Sequence, residues 1–600
     1  MSEDAVADAL AEARAAEGAE DGACKVTALG HDNGVYYFIG PSGQRRDLKP
    51  RQLTTYGDLI SLFDGDGKWL VDHHGKRDKN DEPTGEIKIA EAGAALMRRC
   101  VRAGLYDPAM AVRSYGVWRG PRDSVLAHCG GTLIYFDASG QRRRAQAGLR
   151  LPDALYLAAP PIEPPDDVEA SAAECATVFA AIRDLWNFNG AHLPRLVFGF
   201  IPNAMLGAAP AWRVHVLLTG APGKAGKTHL LNLIGAALGA QGNTLNDPTE
   251  AGLREWLSNQ GRAVLYDEAG GRQGGDESRS FLPVTAIIGL LRRMADAEGA
   301  HSVRGSGGGG VKHYRMAGAA ALAAANPPIL DEQDRTRILE VDLKNADPNN
   351  RAKVLGAIED TAQLSAKLRA RALRGWGRFG ENLHVYRAAL IAQNCDARQA
   401  DQLGTLLAAA EMMLSDEAID ADSAADEIAA LKPVIQEFIV LGAELSNGRQ
   451  CYGALMSAQI EHWKGGVKST VGRLVEMARD PTAGDARAAL AVHGLIVDEM
   501  EDVVGETDEG RPIRAVRRDN GGRGAILQQL VIANQHDGLK RIFRGTPWEN
   551  GAWRRALLQL PKAEAGDPRL GPKSFAGYKS RWIALPERYL PDKPAPEPPI

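Results

Sequence analysis

Leu217-Leu218-Thr219-Gly220-Ala221-Pro222-Gly223-Lys224-Ala225-Gly226-Lys227-Thr228 is the stretch whose reading decides the fold. An apolar strand runs into a glycine-rich turn, and a helical apolar pattern resumes over residues 230–238. Glycines let successive backbone N–H groups turn inward around a phosphate, and the following helix adds the positive end of its dipole. Gly220, Ala221, Pro222, Gly223, Lys224, Ala225 and Gly226 form the cradle, and His229 follows on the helix. Lys227 is placed to neutralise β and γ phosphate oxygens, and the Thr228 hydroxyl to ligate Mg²⁺. Six residues before Lys227, where glycine is usual, stands Ala221 with Gly220 beside it. Either alanine is accepted there or the loop carries one extra residue.

Working outward, Ala263-Val264-Leu265-Tyr266-Asp267-Glu268 is a second apolar strand, ending in two carboxylates. Asp267 is expected to hold Mg²⁺ through water, and Glu268 to orient and deprotonate the attacking water. A strand tip beside a cation is where two mutually repelling acids are stable. A third strand over residues 319–325 ends at Asn326-Pro327-Pro328, so that Asn326 either donates to the γ-phosphate or caps a turn before proline. Asp331-Glu332-Gln333-Asp334-Arg335-Thr336-Arg337-Ile338 follows. Arg335 or Arg337 has the planar fork needed to reach a neighbour's nucleotide as an arginine finger; the alternative is a salt bridge to Asp331 or Asp334. ATP and Mg²⁺ are the cofactors this set implies.

Six hundred residues with 44% hydrophobic content leave room for three or four domains. A formal charge of -5 excludes a wholesale basic coat, so any contact with DNA must be local. Cys24, Cys100, Cys129, Cys175, Cys395 and Cys451 show no Cys-x-x-Cys spacing, which points away from a zinc ribbon or a disulfide scaffold and toward a reducing cytoplasm. The acidic, Ala-rich start is unlike a signal peptide, and no stretch reaches about 18 unbroken apolar residues. No membrane partner is expected.

Composition shifts divide the chain into an acidic tail (1–22), a small α/β domain (23–160), a Pro-rich linker with a helical collar (161–210), a P-loop core (211–345), a helical lid (346–430), a mixed domain (431–590) and a Pro-rich tail (591–600). No internal repeat is visible. Residues 463–470 open either a helix of a winged-helix DNA reader or a capped surface helix. Asp64 with Asp66 reads as a Gly-rich turn. His73-His74 and His128-Cys129 lack the remaining ligands of a zinc site.

Between the second and third strands, His301-Ser302-Val303-Arg304 and Val311-Lys312-His313-Tyr314-Arg315 flank a run of glycines, which predicts a hairpin. Trp212-Arg213-Val214-His215 before the loop, Thr249-Glu250-Ala251-Gly252-Leu253-Arg254 before the second strand, and residues 334–338 complete a set that resembles the phage and plasmid primase-helicases of the superfamily 3 type within the AAA+ ATPases. The likeness spans roughly residues 116–343 and is weaker in the C-terminal third. It implies an α/β fold: a P-loop AAA+ core with a parallel sheet, a helical collar and lid, and small mixed α/β N-terminal and C-terminal domains. It also implies a ring-forming homo-oligomer, a hexamer, that moves along single-stranded DNA in the replication of a phage or mobile element, with a separate primase as a possible partner. In that architecture the hairpin enters the central channel, where Arg304, Lys312, His313 and Arg315 grip phosphates largely by charge; the alternative is a solvated surface hairpin. Two other functions fit the same core: loading or remodelling a protein partner, and origin binding with ATP as a switch.

Overall fold

The computed structural model describes residues 24–152, 154–221, 223–245, 248–267, 277–297, 299–305, 311–324, 327–328, 330–432, 435, 446–461, 468–507, 512–519 and 526–592. The chain divides into two units, Met1–Ile435 and Gln436–Ile600.

The first unit is built on a five-stranded sheet of β1 (His215–Gly220), β2 (Gly242–Leu245), β3 (Ala263–Tyr266), β6 (Ala320–Ala323) and β7 (Ile338–Leu343). Spatial order is β2-β3-β6-β1-β7, and every pairing is parallel. Parallel strands need crossovers that cover both faces, which is why β1, β3 and β6 read as unbroken apolar runs. The crossovers include α3 (Lys227–Leu238), α4 (Glu250–Trp256) and α5 (Glu277–Met294). Leu253, Leu257, Ile287, Ile288 and Leu291 of α4, its C-cap and α5 pack with Leu217, Val264 and Leu322 of the sheet. The strands β4 (Ala300–Gly305) and β5 (Val311–Met316) form a separate two-stranded hairpin between β3 and β6 in the chain.

Around this sheet lie α1 (Ala172–Leu185), α2 (Leu193–Met205), α7 (Arg351–Arg374), α8 (Trp376–Ala392), α9 (Ala397–Leu414) and α10 (Ala421–Ala430), while the short α6 (Glu332–Arg335) precedes β7. α3 packs against α7, and α2 against α9. Buried charge stitches the helices together. Arg195 of α2 pairs with Glu411 of α9 (2.6 Å) and Glu427 of α10 (2.7 Å), and Arg369 of α7 pairs with Glu163 of the Pro-rich linker (2.6 Å).

The lower edge of the sheet is set by Arg213 and His215. Arg213 is fully buried and donates to the carbonyls of Met294 (2.8 Å) and Pro210 (2.7 Å), placing a cation at the negative end of α5. His215 accepts from the Ala320 N–H (3.0 Å) on Nδ1 and faces the Leu291 carbonyl (2.8 Å) with Nε2, so its proton sits on Nε2. Burial pushes its pKa down to about 3. The Trp-Arg-Val-His segment is thus the joint between β1, β6 and α5.

Residues 24–160 carry small sheets, including Thr27–Asp32, Val35–Ile39 and Arg45–Leu48 against the helix Ile89–Ala103, and the antiparallel set Gly116–Arg119, Val125–His128, Thr132–Phe136 and Arg142–Gln146. Gly116 lies against Gly261, where an added Cβ would sit 2.6 Å from backbone atoms, so this region abuts the loop before β3.

In the second unit, α11 (Asn447–Ser457), β8 (Gln459–Glu461) and β9 (Lys468–Thr470) lead into α12 (Val471–Ala478), α13 (Gly484–Val492), β10 (Leu495–Glu499), the hairpin β11 (Glu501–Glu506) and β12 (Pro512–Val516), and β13 (Gln528–Ala533). Next come α14 (Asp537–Ile542), α15 (Ala552–Leu557), β14 (Glu564–Ala565), the hairpin β15 (Lys573–Phe575) and β16 (Tyr578–Ser580), and β17 (Trp582–Pro586). One antiparallel sheet of order β10-β13-β17-β14 holds the unit together. No disulfide links the six cysteines. Among the described residues, no helix is long and apolar enough to cross a membrane.

Candidate functional site

β1 delivers its glycine loop at the C-terminal edge of the parallel sheet, the edge at which open α/β folds bind ligands. Gly220 has a φ of 134°, and a Cβ there would sit 2.3 Å from the Leu343 carbonyl oxygen, so the loop starts pressed against the end of β7. Gly223 and Gly226 also adopt left-handed φ values, of 67° and 73°. Ala221 does not, which resolves the alternative left by the sequence: alanine is accepted at that position without strain. Pro222 lies outside the described residues.

Lys227 opens α3 and folds into the loop, donating to the carbonyls of Gly220 (2.9 Å) and Ala221 (3.2 Å). Partial burial lowers the pKa of its ammonium, while the charges of Asp267 and Asp342 act against that shift. Thr228 and Lys224 are exposed, His229 is half-buried and Ala225 is buried beneath the loop.

β6 lies between β1 and β3, pairing Leu217 with Leu322 and Leu322 with Tyr266. This register brings Asp267, one residue past β3, to the same sheet edge as Lys227. Glu268 and Asn326 fall outside the described residues; Ala324, two positions before Asn326, donates its N–H to the Leu218 carbonyl (3.0 Å). Two carboxylates therefore surround the lysine, of which the sequence singled out only Asp267.

The second is Asp342 on β7, which accepts from Thr219 Oγ1 (3.3 Å) and Asn189 Nδ2 (3.0 Å). Asn189 belongs to the α1–α2 loop, whose Trp186 is buried and donates its indole N–H to the Gly226 carbonyl (3.1 Å). Asn187 donates to the Asn345 carbonyl (2.8 Å) and accepts through its own carbonyl from the Lys344 N–H (2.7 Å). The Ala346 N–H reaches the Lys224 carbonyl (2.8 Å). Together these contacts clamp the loop from outside the sheet and border an open cleft of about 460 Å³ lined by Arg183, Trp186, Asn187, Phe188, Pro194 and Lys344. The sequence signal was an aromatic and asparagine-rich break, Trp186-Asn187-Phe188-Asn189-Gly190, between two helical patterns.

The two candidate finger arginines separate. Arg337 is buried, pairs with Asp296 (3.5 Å), donates to the Gln333 carbonyl (3.1 Å) and lies over the Trp212 ring (5.2 Å). Arg335 is more open and pairs with Glu340 (3.1 Å). Neither takes Asp331 or Asp334, which pair with Arg292 instead (3.4 Å each).

In the hairpin, Arg304 faces Lys312 across the strands next to the tip, and Val303 faces His313. His313 stacks on His301, with Nδ1 and Nε2 3.1 Å apart. Arg315 is at the base, where its guanidinium donates to the Ala109 carbonyl (3.3 Å) and its own carbonyl accepts from the Asn259 N–H (2.6 Å). The sequence grouped four residues; the strand register separates a tip pair from an anchored base.

Asp64 accepts from the Ser42 N–H (2.6 Å) in a turn, Asp66 pairs with Lys25 (3.1 Å), and His128 is buried between the Leu157 carbonyl and the Gly130 N–H. These groups have structural partners. Among the described residues, no cluster of three or more His, Cys, Asp or Glu side chains is arranged to hold a metal.

A strand, phosphate-type loop and helix on a parallel α/β sheet is the class that fold and site define. No protein-family model matches the sequence, and no curated protein does. Among solved structures the chain is similar to the SCCmec type IV Cch active helicase, at 13% identity, covering 94% of this chain and 93% of that one with a TM-score of 0.42. It is similar also to the NrS-1 C-terminal region (12% identity, 67% of this chain and 90% of that one, TM-score 0.27). A third is a full-length MCM homolog from Methanopyrus kandleri (15% identity, 54% and 76%, TM-score 0.27). At this distance, what the chain does has to be read from its own residues.

Proposed function

We propose that this chain is an ATP-hydrolysing motor that assembles as a ring, a hexamer, and moves along single-stranded DNA as a replicative helicase of a mobile element. The observation that carries the reading is the meeting of Lys227 and Asp267 at one edge of one parallel sheet, close enough for the carboxylate to act on the ammonium. A lysine at a helix N-terminus inside a glycine loop, with an acid two strands away, suits a magnesium triphosphate.

In this reading the cradle from Gly220 to His229 holds the phosphates and Lys227 neutralises the β and γ oxygens. Thr228 and Asp267 hold Mg²⁺, which needs only one or two protein ligands besides phosphate and water. Bound Mg²⁺ supplies charge neutralisation at the reacting phosphate. Glu268 takes the proton of the attacking water, and Asn326 orients it. Arg335 is the residue lent to the adjoining subunit, because Arg337 is committed to Asp296 and Trp212 within its own chain. Closed rings follow from such a head-to-tail interface. Arg304 and Lys312 at the hairpin tip grip the strand by charge, and His313 supports them. The collar (161–210) and lid (346–430) brace the nucleotide cleft.

Steady-state hydrolysis with and without oligothymidine tests this, together with unwinding of a forked duplex. Lys227→Ala is expected to abolish both; Arg304→Ala with Lys312→Ala is expected to keep basal hydrolysis and lose its stimulation by DNA. Normal unwinding by the double variant would overturn the channel assignment. A second reading, remodelling of a protein partner, has one observation in its favour: the β11–β12 hairpin exposes Val504, Ile513 and Val516. Turnover indifferent to DNA would select it.

A further inference from the structure

The C-terminal unit contains a duplication that its sequence conceals. From Val471 the chain runs helix, helix, strand, hairpin, strand, and from Asp537 it does so again. The two copies are mated through β13 and β17, antiparallel neighbours at the centre of the sheet, with β10 and β14 outermost. The second helix of each copy buries residues at the same spacing: Ala486, Ala489 and Leu490 in α13, and Trp553, Ala556 and Leu557 in α15. Two helices followed by a hairpin-bearing sheet form a layout that can present the second helix to a nucleic-acid groove.

The copies differ in charge. Residues 471–533 carry eight Lys and Arg against eleven Asp and Glu, whereas residues 537–586 carry ten against four. Cations of the first copy are used internally: Arg473 pairs with Glu476 (2.5 Å), Arg517 with Asp502 (2.6 Å), and Arg479 with Glu587. In the second copy Arg541, Arg544, Arg554, Arg555, Lys579 and Arg581 are all exposed, and none forms an ion pair with a described residue. Arg544 and Arg554 each adjoin one ring of the stacked, buried pair Phe543 and Trp553 (5.5 Å), which fixes α14 against α15. Tyr578 at the hairpin tip meets His536 edge-on (5.4 Å), bringing the tip beside the start of α14. The free cations of two helices and one hairpin therefore belong to a single rigid body.

We propose that this second copy, residues 537–586, is a duplex-DNA-binding module: α15 enters the major groove with Arg554 and Arg555, Arg541, Arg544, Lys579 and Arg581 hold phosphates beside it, and the first copy is its scaffold. A six-residue helix about 9 Å long fits a groove about 12 Å wide. Single-strand binding needs a series of exposed aromatic rings on which bases stack, and Tyr578 is the one exposed aromatic ring among the described residues of this copy. The module would hold the motor on the duplex that is to be opened, a contact distinct from the hairpin of the first unit.

The test uses the full chain without nucleotide and a labelled duplex of roughly 20 base pairs, about two helical turns, with anisotropy followed over a range of KCl concentrations. Arg541→Ala, Arg554→Ala and Arg555→Ala combined are expected to weaken duplex binding by about tenfold or more and to make the slope of log affinity against log salt shallower by about two to three, near 0.9 per lost phosphate contact. Arg473→Ala with Arg487→Ala in the first copy is expected to leave both unchanged, as is the affinity of the triple variant for a single strand of equal length. The corresponding triple change to lysine is expected to keep the salt slope, and guards against a folding defect in the alanine series. An alanine triple that binds duplex like the parent, or an equal loss with the first-copy variants, would overturn the assignment. So would a parallel loss of single-strand binding, which would make the face a general polyanion surface. Basal ATP hydrolysis is measured on the same variants and is expected to be unchanged, so failure of the motor reading and failure of this one are distinguishable.

Discussion

Trp186 donates its indole N–H to the carbonyl oxygen of Gly226, 3.1 Å away, and so ties the loop between two collar helices to the last glycine before Lys227. Loss of that bond with the ring retained isolates its effect. Trp186→Phe is expected to cost about 1 kcal/mol of loop organisation, raising KM for ATP about fivefold with kcat within about twofold. Phosphate release under steady state reads both. An unmoved KM would reduce the contact to packing.

Two carboxylates act on Lys227, and they are expected to behave differently. Asp267→Asn should lower turnover by about a hundredfold or more, the scale of removing one electrostatic stabiliser, and should raise the Mg²⁺ concentration needed for half-maximal rate. Asp342→Asn loses a partner of Thr219 and Asn189 and should lower turnover about tenfold, a smaller effect because that acid positions the loop, with the Mg²⁺ requirement unchanged. A Mg²⁺ titration of both variants separates the roles. Equal shifts in the two would show that Asp267 is not the metal-side acid.

Arg337 and Arg335 offer a stability-against-activity contrast. Arg337→Ala removes a buried guanidinium from Asp296, Gln333 and Trp212 and is expected to destabilise the fold by about 2 kcal/mol, seen as a lower Tm. Arg335→Ala should melt like the parent and hydrolyse at less than about one-hundredth of its rate, given the size of known finger effects. Mixing Arg335→Ala with Lys227→Ala protein should restore partial turnover, since each supplies what the other lacks across an interface.

His215 and His128 are both buried and neutral, with pKa values pushed down by burial to about 3 and about 4. The unfolded chain binds these protons near pH 6.5 and the folded one only well below it, so their contribution is fully present above 6.5 and is lost as pH falls toward those lower values. Each histidine is expected to remove about 1.4 kcal/mol per pH unit below 6.5. Urea melts at pH 7 and pH 5 should show the drop, and His215→Gln should flatten part of it. Stability independent of pH over that interval would contradict the buried neutral state.

The strands that build the sheet were legible because parallel strands covered on both faces must be apolar throughout, and β1, β3 and β6 announce themselves so. The loop was legible for a second reason: glycine, lysine and threonine at fixed spacing have few other uses. What escaped was non-local. Asp342 looks like an ordinary polar residue alternating in a strand, and only the pairing of β7 with β1 carries it to the loop. Trp186 and Asn189 lie some forty residues before Lys227, and nothing local marks their return. In the hairpin, Arg315 could not be told from Arg304 until strand register placed one at the base and the other near the tip. The duplication in the second unit escaped because its copies share a pattern of burial, while their surface charges have diverged.

β7 has a further consequence. It begins beside Arg337 and ends at Leu343, whose carbonyl supports Gly220, with Asp342 and Lys344 bonded to the collar loop. Six residues of strand, about 20 Å long and paired along their whole length with β1, work as a push-rod. A tug felt by Arg335 from an adjoining subunit is delivered, with little slack, to the mouth of the chain's own phosphate pocket, so neighbouring firing events become linked in sequence by one stiff piece of backbone.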